Sequence, residues 1–244
     1  YYVPHGVDTN TFKPVDRAAA RKAIGVPESA FLVGMVAANK GNPSRKAFAQ
    51  QLEAFATFKK THTDAMLYLH TAKAERGEND GVNLPELCRH LGLVEGTDVL
   101  FCNQYQNLIG YPEEYMAAAY SAMDVHMLVS MGEGFGIPIL EAQACGCPVL
   151  VGDWTSMSEL CFSGWKVDKK DAQPWWTPLA SYQFSPNPAA IVDKLNEAYN
   201  MRGNQDYRDR ARAGAMAYDA DKVTEKYWLP VLESIGDQLA DDSM

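Results

Sequence analysis

The chain has 244 residues, 47% of them hydrophobic, and its 22 lysines and arginines face 31 aspartates and glutamates for a formal net charge of −9. That apolar fraction is enough for a real core in one large or two small domains, and the acidic balance excludes a general nucleic-acid surface, so any phosphate site must be locally basic. No run approaches the ~18 apolar residues of a membrane span, the first residues lack a charged-then-apolar leader pattern, and five cysteines without repeating spacing fit a reducing compartment, so a cytoplasmic location is expected.

In chain order, residues 1 to 14 hold a short apolar entry, a glycine turn at His5-Gly6 and a proline stop at Pro14. His5 reads as a backbone-bonded turn residue. A chain that opens at Tyr1 in mid-strand-like sequence reads as a piece of something longer. Phe31 to Ala38 predicts a buried strand, and Ser44 to Thr61 an amphipathic helix with Phe48, Leu52, Phe55 and Phe58 on one face. The link between them, Asn39-Lys40-Gly41-Asn42-Pro43-Ser44-Arg45-Lys46, gathers three cations on a strand-to-helix loop, which in an acidic chain points to an anion or else to solvated lysine and arginine stems.

The pattern then alternates. Strands are expected at 65–70 and 98–102 and helices at 84–91 and 113–122, followed by an apolar strand at 124–130. Met131-Gly132-Glu133-Gly134-Phe135-Gly136 joins that strand to a helix at 137–145, with Pro138 in the first turn, where a missing N–H does no harm. Loop amides and the positive helix end together suit a phosphate. Glu133 on the loop and Glu141, expected in the first helical turn, are acceptor-only groups able to take the two hydroxyls of a vicinal diol. Two other readings stand beside this one. A dinucleotide fingerprint would need a glycine where Ile139 stands. A purely structural turn would leave Glu133 solvated and use Glu141 to favour the helix start.

Beyond the glycine loop, strands are expected at 149–151 and 165–167, with Asp153 to Leu160 as another strand-to-helix step capped by serine or threonine. Residues 169–188, with four prolines, Trp175-Trp176, Tyr182 and Phe184, are too aromatic for a linker and predict a packed loop over the sheet, or a lid. Helices follow from Asn187 onward. Asp219-Ala220-Asp221 precedes a helix and reads as its cap rather than a metal motif, and Cys145-Gly146-Cys147 has no companions at zinc spacing, so no metal site is expected. Strict alternation predicts an α/β fold, a Rossmann-like doubly wound parallel sheet with ligands at the carboxyl ends of its strands.

Glu133 and Glu141, seven residues between them and Gly134-Phe135-Gly136 inside, resemble the signature of the retaining family 4 glycosyltransferases. The resemblance covers nearly the whole chain and implies the C-terminal, donor-binding half of a GT-B glycosyltransferase. Residues 1–16 are similar to the interdomain crossing, with His5 in place of an asparagine; 17–218 would be the donor-binding domain, and 219–244 a helix crossing back toward an absent N-terminal domain. The loop before Glu159 also resembles a family segment. The implied reaction is transfer of a sugar from a nucleotide diphosphate sugar with retention, without cofactor or metal.

In that resemblance Glu133 and Lys46 serve catalysis. Donor contacts come from Asn39, Lys40, Arg45, Lys46, Glu133, Gly134, Phe135, Gly136, Ile137 and Glu141. Lys46 matches the family's lysine, whereas its arginine position falls on Lys40 or Asn39, without a bidentate fork. Glu141 would take the ribose and Glu133 the sugar. The partners implied are a nucleotide sugar donor and an acceptor sugar, lipid or protein held by the absent half, which also allows peripheral membrane association; nucleic acid is not among them. The rival from another class is a non-catalytic nucleotide-binding or regulatory module on the same fold.

Overall fold

In a computed structural model of the protein, residues 1–41, 43–74 and 81–241 are described. Asn42 of the cation-rich loop and the last three residues of the expected C-terminal helix therefore lie outside the described residues. The elements run α1 (Arg17–Ile24), β1 (Phe31–Val36), α2 (Phe48–Lys59), β2 (Ala65–His70), α3 (Leu84–His90), β3 (Val99–Phe101), α4 (Gln104–Ile109), α5 (Glu113–Ala122), β4 (Val125–Leu128), α6 (Ile137–Ala144), β5 (Val149–Gly152), α7 (Thr155–Leu160) and β6 (Gly164–Val167). A hairpin follows, β7 (Ala172–Trp176) and β8 (Tyr182–Pro186), then α8 (Pro188–Asn200), α9 (Gln205–Ala215), α10 (Ala220–Val223) and α11 (Leu229–Asp241).

Among the described residues, β1 to β6 form one parallel sheet in the order β3-β2-β1-β4-β5-β6. This is the doubly wound order, whose switch point, where ligands bind in such sheets, lies between β1 and β4. The strands are near-continuous apolar runs because helices cover both faces. Phe48, Leu52, Phe55 and Phe58 of α2 are buried, as their spacing predicts. At the other end of β4, Asp124 accepts from Leu32 N at 2.7 Å and pairs with buried Arg21 at 2.7 Å, which fixes α1 against β1 and β4.

Several boundaries differ from expectation for local reasons. The helix expected from Ser44 begins only at Phe48, because Ala47 takes a left-handed conformation (φ 50°) and holds 44–46 in turns. Helix α6 starts at Ile137 as expected, yet Glu141 is its fifth residue and so lies past the first turn rather than in it. Helix α7 is not capped by a serine or threonine side chain: its cap residue is Trp154, and Thr155 itself has φ 53°. Helices α1 and α4 add to the expected alternation, and 169–188 is not an irregular packed loop but an antiparallel ribbon with its own register, Ala172↔Pro186 through Trp176↔Tyr182. Asp219 does cap α10, accepting from the amides of Asp221 and Lys222.

Candidate functional site

Two loops meet at the switch point, one after β1 and one after β4, and their backbones are fastened to each other. Met131 N donates to Arg45 O at 2.8 Å. Gln51, fully buried, donates to Lys46 O at 2.6 Å and accepts from Val129 N at 2.9 Å. This double bridge sets the cation loop against the glycine loop. Lys46 Nζ then lies 2.6 Å from Glu133 Oε1, and Arg45 Nη1 lies 2.9 Å from Oε2 and donates to Gly132 O at 2.5 Å. The Glu133 side chain is only 6% exposed. Burial alone would raise its pKa, but Lys46 above all, with Ser130 and then Arg45 adding to it, outweighs that and holds it below the usual carboxylate value.

From behind, Thr155 Oγ1 accepts from Glu133 N at 3.2 Å and Ser156 Oγ donates to Glu133 O at 3.1 Å, so the start of α7 clamps the loop. The positive φ of Thr155 is the backbone conformation that brings its hydroxyl there. Among the described residues the amides of Gly134, Phe135, Gly136 and Ile137 make no hydrogen bond within the protein. A side chain at Gly134 would meet open space, whereas one at Gly136 would strain the left-handed backbone and approach Ile139 at 2.9 Å. These four unpaired amides stand at or just before the N-terminus of α6, where backbone donors can hold an anion. Phe135 packs edge-on against His5 at 5.0 Å, which brings the first residues of the chain to this loop.

The second glutamate sits in a different setting. Glu141 Oε2 accepts from the phenol of fully buried Tyr120 at 2.7 Å. Burial is the main reason its pKa is raised, with Glu113 adding to it and the Tyr120 bond offsetting part. Its contact is a neutral donor, not a cation.

A cavity of about 450 Å³ opens at the ends of β1 and β2, walled by Asn39, Arg45, Lys46, His70, Asn107 and Pro138 among others. Of the expected site residues, Asn39, Arg45 and Lys46 line it, and Glu133 reaches it through their ion pairs. Lys40 is exposed, and neither it nor Gly134, Phe135, Ile137 and Glu141 is part of that wall. Asn39 is buried with its amide committed to the neighbouring loops: it donates to Ala72 O at 3.0 Å and Val82 O at 2.7 Å and accepts from Val82 N at 2.9 Å. Its role is to hold that wall together.

Residues that sequence reasoning passed over complete the place. His70, the last residue of β2, is bound through Nδ1 to the Tyr68 hydroxyl at 3.1 Å, and burial lowers its pKa to about 4, so it lines the cavity as a neutral imidazole. Its position at a strand's carboxyl end was the available signal. Gln51, Tyr120 and Thr155 gave none, because their parts depend on neighbours distant in sequence. All five cysteines are free, and no cluster of ligands able to hold a metal occurs among the described residues. No helix among them is long and apolar enough to cross a membrane.

Comparison with known proteins agrees with this architecture. The family model described as "Glycosyl transferases group 1" matches residues 31–181, and the chain belongs to that family. It is similar to the D-inositol 3-phosphate glycosyltransferase of Saccharomonospora viridis, 31% identical over 199 residues that make up 79% of this chain and 44% of that protein. The chain thus spans less than half the length of that relative. Among solved structures it resembles the C-terminal domain of the group 1 glycosyl transferase LpcC from Francisella tularensis (TM-score 0.60, 20% identity, 91% of this chain and 98% of that one). It also resembles Anabaena Alr3699/HepE in complex with UDP-glucose (TM-score 0.68, 17% identity, 96% and 57%). These neighbours show the Rossmann-like fold of a GT-B glycosyltransferase.

Proposed function

We propose that the chain is the donor-binding domain, residues 17–218, of a retaining family 4 glycosyltransferase, with 1–16 and 219–244 the segments that run to and from its acceptor-binding half. The observation that carries this is the convergence at the switch point of Lys46, Arg45, four unengaged amides and a buried carboxylate. The amides and the two cations take the diphosphate of a nucleotide sugar, and they stabilise the charge that develops on it as the sugar leaves. Glu133 orients the sugar. Glu141 takes the ribose hydroxyls, its Tyr120 bond leaving the other oxygen for the ligand. His70 and Asn107 wall the nucleotide end. The neighbour holding UDP-glucose supports a sugar nucleotide as ligand, and the relative named a glycosyltransferase supports sugar transfer.

Because the loop supplies its own positive charge, binding needs no divalent metal. Calorimetric titration of the chain with UDP, GDP and ADP in EDTA tests the reading. Saturable binding of at least one nucleotide is expected. Binding that returns only with added Mg or Mn, or no binding of any of the three, overturns it.

A further inference from the structure

The hairpin β7–β8 leaves a second cleft, separate from the cavity at the ends of β1 and β2. It has a volume of about 590 Å³ and runs between α2 and the base of the hairpin. Three contacts hold the hairpin in place: Phe184 N donates to Met131 O at 2.8 Å, Gln50 Nε2 to Ser185 Oγ at 3.2 Å, and Trp154 packs on Phe184 with ring centroids 6.0 Å apart. Paired residues of an antiparallel ladder share a face, and alternate residues of a strand return to it. Gln173↔Ser185 and Trp175↔Gln183 therefore lie on one face. Ser185, bonded to Gln50, directs that face toward α2.

The chemistry of the walls is selective. Their polar groups are the amides of Gln50, Gln173 and Asn187, the Ser185 hydroxyl and the carboxylates of Glu53 and Asp171, and their apolar parts are proline rings such as Pro174 and Pro186. The wall cation, Lys170, already pairs with Asp168 at 3.1 Å. Among the described residues, a phosphate or sulfate would meet two carboxylates against one exposed lysine that shares Asp168, a net negative wall, and a lipid or apolar peptide would find no large aliphatic surface. Trp175, 39% exposed and not itself part of the wall, stands two residues beyond Gln173 on the same face of the ribbon, a flat aromatic ring next along the strand. Hydroxyl-binding amides and carboxylates beside a flat ring suit a ligand with a rim of hydroxyls and a face of C–H groups. From there the cross-strand partner of Trp175, Gln183, leads to the glycine loop, since its Cγ would lie 3.5 Å from a side chain at Gly132.

We infer that this cleft binds a neutral oligosaccharide, at a place distinct from the glycine loop and independent of the acceptor that the other half of the protein would hold. The chain, ¹⁵N-labelled and with the Trp175 indole signal assigned from Trp175→Phe, is titrated with maltotriose, mannotriose and chitotriose, and separately with UDP. At least one trisaccharide should shift the Trp175 indole saturably, with Kd of about 1 mM or tighter. Trp175→Ala and Gln173→Ala, both at exposed positions, should each weaken that binding roughly fivefold or more. No saturable shift from any of the three, shifts confined to other tryptophans, or binding indifferent to both substitutions overturns the inference. So does a preference for a sulfated oligosaccharide over the neutral one. UDP binding without trisaccharide binding defeats this inference alone, whereas trisaccharide binding without nucleotide binding defeats the donor-domain reading and leaves the cleft.

Discussion

The two glutamates of the glycine loop are eight positions apart in sequence, yet the protein treats them as different chemical groups. Glu133 is held by two cations and kept ionised more firmly than a free carboxylate; Glu141 is held by a phenol and kept ionised less firmly. The difference comes from what each faces. Glu133 projects toward the loop after β1, which carries the cations, and Glu141 toward α5, which is apolar and acidic. In a donor site this arrangement separates duties: the charged network belongs to the phosphates and the sugar, and the neutral contact leaves a carboxylate oxygen to accept hydroxyls.

The largest expected effect comes from removing the cation that burial has made indispensable. Lys46 and Glu133 are 12% and 6% exposed, so Lys46→Ala leaves a buried carboxylate with only Arg45, whose side chain is 45% exposed. A loss of about 3 kcal/mol in unfolding free energy is expected, together with roughly tenfold weaker nucleoside diphosphate binding. Arg45→Ala should cost less than about 1 kcal/mol. Chemical denaturation of the two variants side by side checks this, and equal losses would show that the pairing is not graded by burial.

Next in size is Glu133→Gln, expected to cost about 2 kcal/mol at pH 7, since Lys46 and Arg45 lose their counter-charge. Its pH dependence carries a sign. The folded pKa of Glu133 lies below its unfolded value, so the carboxylate's stabilisation is full above the unfolded value and is lost as pH falls through the folded one. The gap between variant and parent should therefore close in acid. The same change frees both cations, so plain diphosphate should bind about threefold more tightly while the added affinity of the nucleotide sugar declines. Weaker binding of diphosphate and nucleotide sugar alike would place Glu133 in a purely structural role.

How legible these settings were follows from the range of the forces involved. The alternation of strand and helix, the buried face of α2 and the two loops at strand ends could be read because period and turn chemistry are local. That the glycine loop and Lys46 fall at strand-to-helix junctions was legible for the same reason. Tyr120 was not, since a tyrosine in an apolar helix stripe carries no mark of the carboxylate it meets 21 positions later. Gln51 looks like any polar residue of an amphipathic helix until the fold buries it between Lys46 O and Val129 N. Residues 169–188 were read as a packed loop or a lid because four prolines and clustered aromatics break the strand-helix alternation; as an isolated pair both strands of the ribbon are edges, where a proline such as Pro174 is tolerated.

The smallest thermal effect is expected at Glu141, and it has the opposite sign. A carboxylate whose folded pKa is raised is penalised when ionised, so at pH 7 it subtracts from stability, and the penalty disappears as pH falls below its unfolded value and both states become protonated. Glu141→Gln removes the charge but keeps an oxygen for the Tyr120 phenol, and should therefore stabilise the fold at pH 7 by less than about 1 kcal/mol, the gain fading in acid. Against ligands the order reverses: an amide accepts a ribose hydroxyl less well than a carboxylate does, so ribonucleotide affinity should drop by roughly fivefold, and the 2′-deoxy analogue should lose less, having one hydroxyl fewer to offer. Tyr120→Phe sharpens the test, because it deletes the donor and leaves the ring's packing in place. It should raise the Glu141 pKa further and lower stability, while ribonucleotide affinity, on the proposed reading, is kept because the other carboxylate oxygen is untouched. If Glu141→Gln instead destabilised the protein as Glu133→Gln does, and reduced ribo and deoxy binding equally, the two carboxylates would be doing the same structural work, and the division of the site into a charged half and a neutral half would fail.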